Sequence, residues 1–305
     1  MSVIDVTGLT KRFGDKTVVD HIDMRIDQGE IVGFLGPNGS GKTTTIRMIC
    51  GLLRPDEGSG KCLGFDIQSD SERIKAETGY MTQRFSFYED LTIRENLEFV
   101  ARLYGLTPLR KRVDEALDRL GISGRQAQLA GNLSGGWKQR LALAACVMHE
   151  PKLLLLDEPT AGVDPKARRD FWDEVHKLAA NGITVLVSTH YMDEAERCHR
   201  IVYISYGKII ARGTAQEVIS GSGLTTWHVE GKGLTALARE LEGISGIEQV
   251  AAFGNTLHVV GSDAQKLAAA VAPFRKGGDT KWSPGETSLE DVFIKLMTSS
   301  KDQYQ

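Results

Sequence analysis

The segment Gly-Pro-Asn-Gly-Ser-Gly-Lys-Thr at residues 36–43 constrains the fold more than any other part of the chain. It follows an apolar stretch, Ile31–Leu35, that predicts a buried strand, and it precedes a predicted helix from Lys42 to about Leu52. In the pattern GxxxxGK[ST] between strand and helix, the glycines let backbone N–H groups face phosphate oxygens, and the helix N-terminus adds partial positive charge. The chain is therefore predicted to contain an α/β domain that binds a nucleotide.

The polar residues of this phosphate loop suit a nucleoside triphosphate with its magnesium ion. Lys42 is expected to reach the β- and γ-phosphates, and the Thr43 hydroxyl can ligate Mg²⁺. The predicted nucleotide-contacting residues of this region are Gly36, Pro37, Asn38, Gly39, Ser40, Gly41, Lys42, Thr43 and Thr44.

A second apolar run, residues 153–156, ends in the acidic pair Asp157 and Glu158. Its length and uniform apolar character favour a strand covered on both faces in a parallel sheet. Ligands of open α/β folds bind at the carboxyl edge of such strands, so both carboxylates are expected beside the phosphates. There Asp157 suits the metal shell and Glu158 can act as a general base on the attacking water. A cap for the next helix is the alternative interpretation of the pair.

Two further polar residues complete the predicted catalytic site. His190 follows a second buried strand, residues 183–188, where an imidazole can donate to the γ-phosphate or hold the attacking water. A lone histidine at a strand end is also commonly structural. Gln83 can reach Mg²⁺ and water through its amide oxygen, although taken alone it is an ordinary surface residue. The predicted catalytic residues are Glu158, His190 and Gln83, and the predicted metal ligands are Thr43, Gln83 and Asp157.

Two domains are predicted from length and local pattern. With 305 residues, of which 41% are hydrophobic, the chain has enough apolar material for both cores. Thr92 with Glu95 forms a capping box, and residues from about 88 to 150 are predicted to be mostly helical. A Gly-Ser-Gly interruption at residues 221–223 divides the chain. The predicted domains are 1–220, which includes the helical subdomain, and 224–305, a small α+β module whose last helix begins at Thr287 or Ser288 with Glu290 available as its cap.

Composition narrows the range of partners and compartments. A net charge of −3 gives no electrostatic reason to expect nucleic acid. The four cysteines are far apart without a CxxC pair, which predicts neither a disulfide framework nor a zinc site and fits a reducing cytoplasm. The N-terminus lacks the features of a signal peptide, and no stretch approaches the roughly 18 apolar residues that a membrane helix needs. Any membrane-spanning partner is therefore expected to be a separate chain.

Residues 133–140, Leu-Ser-Gly-Gly-Trp-Lys-Gln-Arg, lie between the phosphate loop and the acidic strand. Together with Gln83, the Ala-Gly-Val-Asp turn at residues 161–164 and His190, they give the chain the ordered motifs of ABC transporter ATPases, which it resembles over about residues 3–215. The resemblance implies a P-loop NTPase fold of ABC type that hydrolyses ATP as a head-to-tail homodimer. The commonest signature has glutamine where this chain has Trp137, but the residues implied to contact phosphate are intact, so activity is expected to survive.

The resemblance also implies roles for particular residues. Ser134, Gly135 and Gly136 of one subunit would cap the γ-phosphate held by Lys42 of the other. Outside the signature, Asp164 would communicate across the dimer and Phe13 would stack on adenine, as its aromatic face permits. A flexible turn before a helix is the alternative interpretation of the Ser-Gly-Gly tripeptide alone.

Two segments point to a particular kind of ABC protein. Residues 89–96 resemble the segment that contacts the membrane subunit in ABC-2 exporters, and residues 287–293 resemble the end of ATPases that serve drug and antibiotic efflux. Capped helices are the alternative interpretation of both. The implied protein is a peripheral ATPase on the cytoplasmic face of the cell membrane, which drives a separate integral membrane permease. A soluble ABC clamp acting on DNA or the ribosome, and an importer ATPase with a regulatory tail, remain as alternatives.

Overall fold

The computed structural model describes residues 1–276 and 279–299. Contacts divide the chain into two compact units, Met1–Ala211 and Arg212–Gln305. The division falls before the Gly-Ser-Gly interruption at residues 221–223, because a short helix preceding that interruption belongs with the second unit. The assignment of domains to 1–220 and 224–305 stays a prediction.

The first unit contains two sheets and most of the helices. Its strands are β1 (Ser2–Phe13), β2 (Lys16–Asp27), β3 (Ile31–Leu35), β4 (Glu57–Cys62), β5 (Phe65–Asp66), β6 (Thr78–Met81), β7 (Leu153–Asp157), β8 (Thr184–Thr189), β9 (Arg200–Ser205) and β10 (Lys208–Gly213), which continues just past the division. Its helices are α1 (Lys42–Ile49), α2 (Ser71–Ala76), α3 (Ile93–Leu103), α4 (Leu109–Arg119), α5 (Gly135–Val147), α6 (Pro165–Ala180) and α7 (Met192–Ala195).

The larger sheet positions the residues predicted to bind nucleotide. Its strand order is β10-β9-β3-β8-β7-β6, and the five strands from β9 to β6 are parallel. Every residue of β3, β7 and β8 is buried, as expected for strands covered on both faces. The register pairs Leu35 with Thr189 and Asp157 with Ser188. The loops that follow these three strands therefore leave from the same edge of the sheet.

The smaller sheet is antiparallel, in the order β2-β1-β4-β5. The sequence predicts only short strands at residues 3–6 and 21–26, whereas β1 and β2 pair along their length with several register shifts. These shifts break the strict alternation of apolar residues, so the strands predicted from the sequence pattern are shorter than β1 and β2.

Helices of the first unit follow local sequence signals closely. The capping box is present, since Glu95 N donates to Thr92 Oγ1 and Thr92 N donates to Glu95 Oε2 at 2.8 Å. Helices α3, α4 and α5 occupy the region in which helical structure is predicted. Helix α1 ends at Ile49 rather than at about Leu52, because Gly51 adopts a φ of +69°, a common helix-ending conformation for glycine.

The second unit is a four-stranded antiparallel sheet with helices. Its elements are α8 (Ala215–Gly221), β11 (Thr225–Gly231), α9 (Leu234–Leu241), β12 (Gln249–Phe253), β13 (Thr256–Gly261), α10 (Ala264–Val271), β14 (Thr280–Gly285) and α11 (Leu289–Ser299), and the strand order is β12-β13-β11-β14. The sequence does not predict β12 and β14. The prediction that Glu290 caps the last helix is wrong, because Asp291 takes this role in α11. Ser288 N donates to Asp291 Oδ2 at 2.8 Å, and Asp291 N donates to Ser288 Oγ at 3.1 Å.

In the part of the chain that the structure describes, helices are all too short or too polar to cross a bilayer.

Candidate nucleotide-binding site

The phosphate loop connects β3 to α1 and is packed so closely that side chains are excluded at two of its glycines. A Cβ atom at Gly36 would lie 2.1 Å from the Ile204 carbonyl oxygen, and one at Gly41 would lie 2.7 Å from the Val18 carbonyl oxygen. Gly41 also has a φ of +106°, which L-residues with side chains rarely adopt. The loop is therefore a bare backbone curve at the N-terminus of α1, as a phosphate cradle requires.

Lys42 is buried inside this loop. Its Nζ donates to the carbonyl oxygens of Gly36 at 2.8 Å and Pro37 at 3.1 Å, and it lies 3.5 Å from Glu158 Oε1. Burial lowers the Lys42 pKa, and the nearby Glu158 carboxylate opposes that shift. Next to it, Ser40 Oγ is buried without a hydrogen-bond partner among the described residues. A held cation and an unsatisfied hydroxyl in one loop fit an anionic ligand with oxygen acceptors.

Thr43 and Asp157 meet across the loop. Thr43 Oγ1 donates to Asp157 Oδ2 at 2.8 Å, while Ser188 Oγ donates to Asp157 Oδ1 at 2.5 Å. Among the described residues, no group of three or more His, Cys, Asp or Glu side chains lies close enough to hold a metal. A hydroxyl beside a carboxylate nevertheless fits Mg²⁺, which commonly takes only one or two protein oxygens and completes its shell with phosphate and water.

Three of the predicted site residues converge on Glu158. Gln83 Nε2 donates to Glu158 Oε2 at 2.9 Å, and His190 Nδ1 lies 3.6 Å from the same oxygen. The Glu158 backbone has a φ of +48° and is held by N–H hydrogen bonds to the Ser188 carbonyl oxygen at 3.1 Å and hydroxyl at 3.0 Å. The structure thus gathers Lys42, Gln83 and His190 around one carboxylate whose unusual backbone conformation is fixed from β8.

The signature tripeptide lies at the start of α5, where Ser134 is the N-cap residue and its side chain makes no capping bond. Ser134 and Gly135 are exposed. Gly136 packs on Ala167, because a Cβ atom added there would lie 2.6 Å from the Ala167 Cβ. Asp164 Oδ1 accepts a hydrogen bond from Ala167 N at 2.9 Å, so Asp164 and the signature share this neighbour.

The other predicted contact residues lie where a ligand can reach them. Asn38 is exposed and Thr44, in the first turn of α1, is half-buried. Phe13 ends β1 with 52% of its surface exposed, and Lys11 Nζ lies 5.7 Å from the centroid of its ring. An exposed aromatic face with a cation beside it is accessible for stacking on a base.

Two residues that shape the site are absent from the sequence-based prediction. Ser188 bonds both Asp157 and Glu158, as described above. Glu194, only 1% exposed, accepts hydrogen bonds from the hydroxyls of Thr160 and Thr189, the latter at 2.6 Å. Ser188 and the Thr160 contact of Glu194 carry no local sequence signal beyond the position of Ser188 at a strand end, because the bonded residues are 30 or more positions apart.

Comparison with known proteins places these motifs in a family. The model for the ABC transporter family matches residues 19–161. The Nod factor export ATP-binding protein I of Ralstonia nicotianae is 37% identical over 304 residues, which cover 96% of this chain and 93% of that protein. The chain belongs to the ABC transporter family. Another family member, the probable multidrug ABC transporter ATP-binding protein YbhF of Escherichia coli, is 44% identical over 219 residues. That alignment covers 71% of this chain, which spans 38% of the length of YbhF.

Solved structures of ABC proteins share the fold. An ATP-binding subunit of an ABC transporter matches with a TM-score of 0.66 at 29% identity, over 72% of this chain and 93% of that one. A dimeric post-hydrolysis state of the ATP-binding cassette MJ0796, bound to ADP and Pi, matches with a TM-score of 0.63 at 27% identity, over 69% and 98%. The predicted family, the ABC-type P-loop fold and the assignment to the ABC ATPases are therefore confirmed.

Proposed function

We propose that this ABC protein is the ATP-hydrolysing subunit of an exporter. Two copies close around two ATP molecules, and the dimer drives a separate integral membrane permease of the ABC-2 type from the cytoplasmic face of the membrane. The observation that carries the proposal is the convergence of Lys42, Gln83 and His190 on Glu158, beside the Thr43–Asp157 pair. The name of the Nod factor export relative supports export rather than import.

The proposed binding mode assigns the phosphates to the loop and to Lys42. The backbone N–H groups of the loop, which Pro37 alone lacks, and the Lys42 ammonium would provide the donors. Thr43, Gln83 and Asp157 would hold Mg²⁺, which when bound neutralises charge on the phosphate oxygens. Phe13 would stack on the adenine ring.

Glu158 is the proposed general base. Its carboxylate lies in a largely buried position, 9% exposed, with Lys42 on one oxygen and Gln83 on the other. A carboxylate fixed this way can accept the proton of an attacking water without first reorganising its own surroundings. His190 lies near Glu158 Oε2, the oxygen that Gln83 bonds, and is placed to hold that water or to donate to the phosphate.

The second half of each site would come from the other copy. Ser134, Gly135 and Gly136 offer a hydroxyl and backbone N–H groups at the exposed start of α5, which suits a γ-phosphate because charge-bearing acceptors strengthen such bonds. The γ-phosphate would then bridge the two copies, so that its loss reopens the dimer.

The Glu158→Gln variant tests the enzymatic part of the proposal. The amide cannot take the proton, so ATP turnover is expected to fall by about 10²–10⁴-fold while ATP binding persists and a dimer accumulates. Turnover is measured by phosphate release and the dimer by light scattering with and without ATP. Glu72→Gln, on a carboxylate that is 87% exposed, is the matched control. Turnover unchanged from the parent protein would remove Glu158 from its role.

Isolation of the tagged protein from native membranes in detergent tests the partner. Mass spectrometry is expected to identify a permease of the ABC-2 type. Recovery of ribosomes or DNA alone would instead support the soluble clamp. Transport assays with the reconstituted pair then separate an exporter from an importer by direction.

A further inference from the structure

Two guanidinium groups lie over the indole ring of Trp137. The Cζ atom of Arg125 is 4.5 Å from the centroid of the Trp137 ring, and the Cζ atom of Arg140 is 5.3 Å from it. Trp137 is half-buried and directly follows Gly136, the last residue of the signature tripeptide. The negative face of an indole attracts cations at these distances, and a glutamine at this position would have no such face.

Arg140 is itself fixed by two other elements. Its Nη1 donates to the Leu120 carbonyl oxygen at 3.2 Å, directly after α4, and its Nη2 donates to Asp170 Oδ2 on α6 at 3.0 Å. Arg125 belongs to the short 3₁₀ turn, Ser123–Arg125, that follows α4. Arg140 lies on α5 itself, three residues after Trp137, so its side chain ties this helix to the end of α4 and to α6. The contact of Trp137 with Arg125 joins the first turn of α5 to the turn that follows α4.

The other sides of this turn are held by separate contacts. Gly136 packs on Ala167, and Lys138 Nζ bonds Glu89 Oε1 at 2.8 Å. Ser134 and Gly135, in contrast, are exposed and Ser134 lacks a side-chain capping bond. The position of Ser134 and Gly135 thus depends on the contacts that fix the helix just after them. Trp137 supplies the aromatic one of these contacts.

We propose that Trp137 is a positioning residue: through the contacts of its indole with the guanidinium groups of Arg125 and Arg140 it holds Ser134–Gly136 in the orientation that receives ATP bound to the other copy. The inference rests on the proposed ATP-driven dimer and deepens it. Trp137 sets the affinity of the dimer, whereas the affinity of a single copy for ATP depends on the phosphate loop and not on Trp137.

The experiment uses full-length protein in the Glu158→Gln background, so that hydrolysis does not remove the ATP. Sedimentation at saturating ATP gives the dimer dissociation constant, and calorimetry at concentrations below dimer formation gives the ATP affinity of one copy. Trp137→Ala is expected to weaken the dimer by about tenfold, with ATP affinity of the single copy within about twofold. Trp137→Phe keeps an aromatic face and is expected to retain most of the dimer affinity.

The arginine variants identify the contact responsible. Arg125→Met removes the guanidinium at an exposed position, so this variant gives a result even if Trp137→Ala does not fold. Arg125→Met is expected to weaken the dimer. In the double variant with Trp137→Ala the loss of dimer affinity should be smaller than the sum of the two single losses, since the two residues act through one contact. Arg110→Met, at an exposed arginine on α4, is the control and should change neither constant.

Three results would overturn the inference. In the first, the dimer dissociation constants of Trp137→Ala and Arg125→Met match that of the parent. In the second, Trp137→Ala lowers the ATP affinity of the single copy as much as it lowers the affinity of the dimer. Both leave the proposed function standing, because the parent still dimerises. In the third, the Glu158→Gln parent does not dimerise with ATP at all, which overturns the proposed dimer and the inference together.

Discussion

The phosphate-loop half and the signature half of the proposed site are built in opposite ways. In the first, polar groups far apart in sequence are already bonded to each other, as Thr43 is to Asp157 and Gln83 is to Glu158. In the second, Ser134 and Gly135 are exposed at a helix start without comparable partners. One half is therefore complete within a single chain, and the other gains its function from a second copy. Substitutions in the two halves should affect different equilibria.

The largest effect is expected in the phosphate-loop half, for Lys42→Ala. Losing a buried cation that bonds two loop carbonyls and faces Glu158 should weaken ATP binding by about 2–5 kcal/mol, which is roughly 30- to 5,000-fold. Calorimetry on the single copy measures this loss. Lys152→Ala, at a lysine with 70% of its side chain exposed, is the control. An affinity within threefold of the parent would break the comparison, because Lys42 would then not belong to a preassembled half.

An intermediate effect is expected where the signature meets the core. Gly136→Ala brings a Cβ within 2.6 Å of the Ala167 Cβ, and this overpacking should lower the free energy of unfolding by about 1–3 kcal/mol. Gly135→Ala is the matched variant, because its nearest contact would be 3.8 Å away, and alanine favours the helix. Urea unfolding compares the two. Equal stabilities would mean that the start of α5 is not fixed against α6.

The smallest effect is expected for Ser134→Ala. The hydroxyl is exposed and makes no capping bond, so stability and ATP affinity of the single copy should stay within about 0.5 kcal/mol of the parent. In the Glu158→Gln background the dimer should weaken by about 1 kcal/mol, roughly fivefold, through loss of one hydrogen bond. Sedimentation measures the dimer. A fall in single-copy ATP affinity would contradict the division between the two halves.

The sequence predicts the parts of this molecule whose signals are local. The apolar runs of β3 and β7 are strands, and the Thr92–Glu95 capping box begins α3 as expected. The residues predicted around the phosphate loop are brought together because strand ends in a parallel sheet share one edge. Their individual catalytic and binding roles stay predictions.

Tertiary pairing explains what the sequence pattern leaves out. Strand β14 contains Ser283, Pro284 and Gly285, residues typical of a turn, and is an edge strand paired only with β11 in the described sheet. The capping partner of α11 is Asp291 because it stands three residues after Ser288, the same spacing as in the Thr92–Glu95 box. What spacing alone does not reveal is the second partner of this carboxylate, His258 Nδ1 on β13 at 3.1 Å.

The buried carboxylate of Glu194 connects the segment that carries Glu158 to the segment that carries His190. Thr160 follows the proposed general base by two residues, and Thr189 immediately precedes His190, so a single acidic side chain clasps the segments that carry both. Arg168, on the helix that Asp164 caps, lies 3.6 Å from the same carboxylate. One buried carboxylate therefore contacts the segment after Glu158, the segment before His190 and a residue near the start of α6. The relative positions of these three segments thus depend on a side chain that, among the described residues, itself bonds neither the phosphate loop nor the signature.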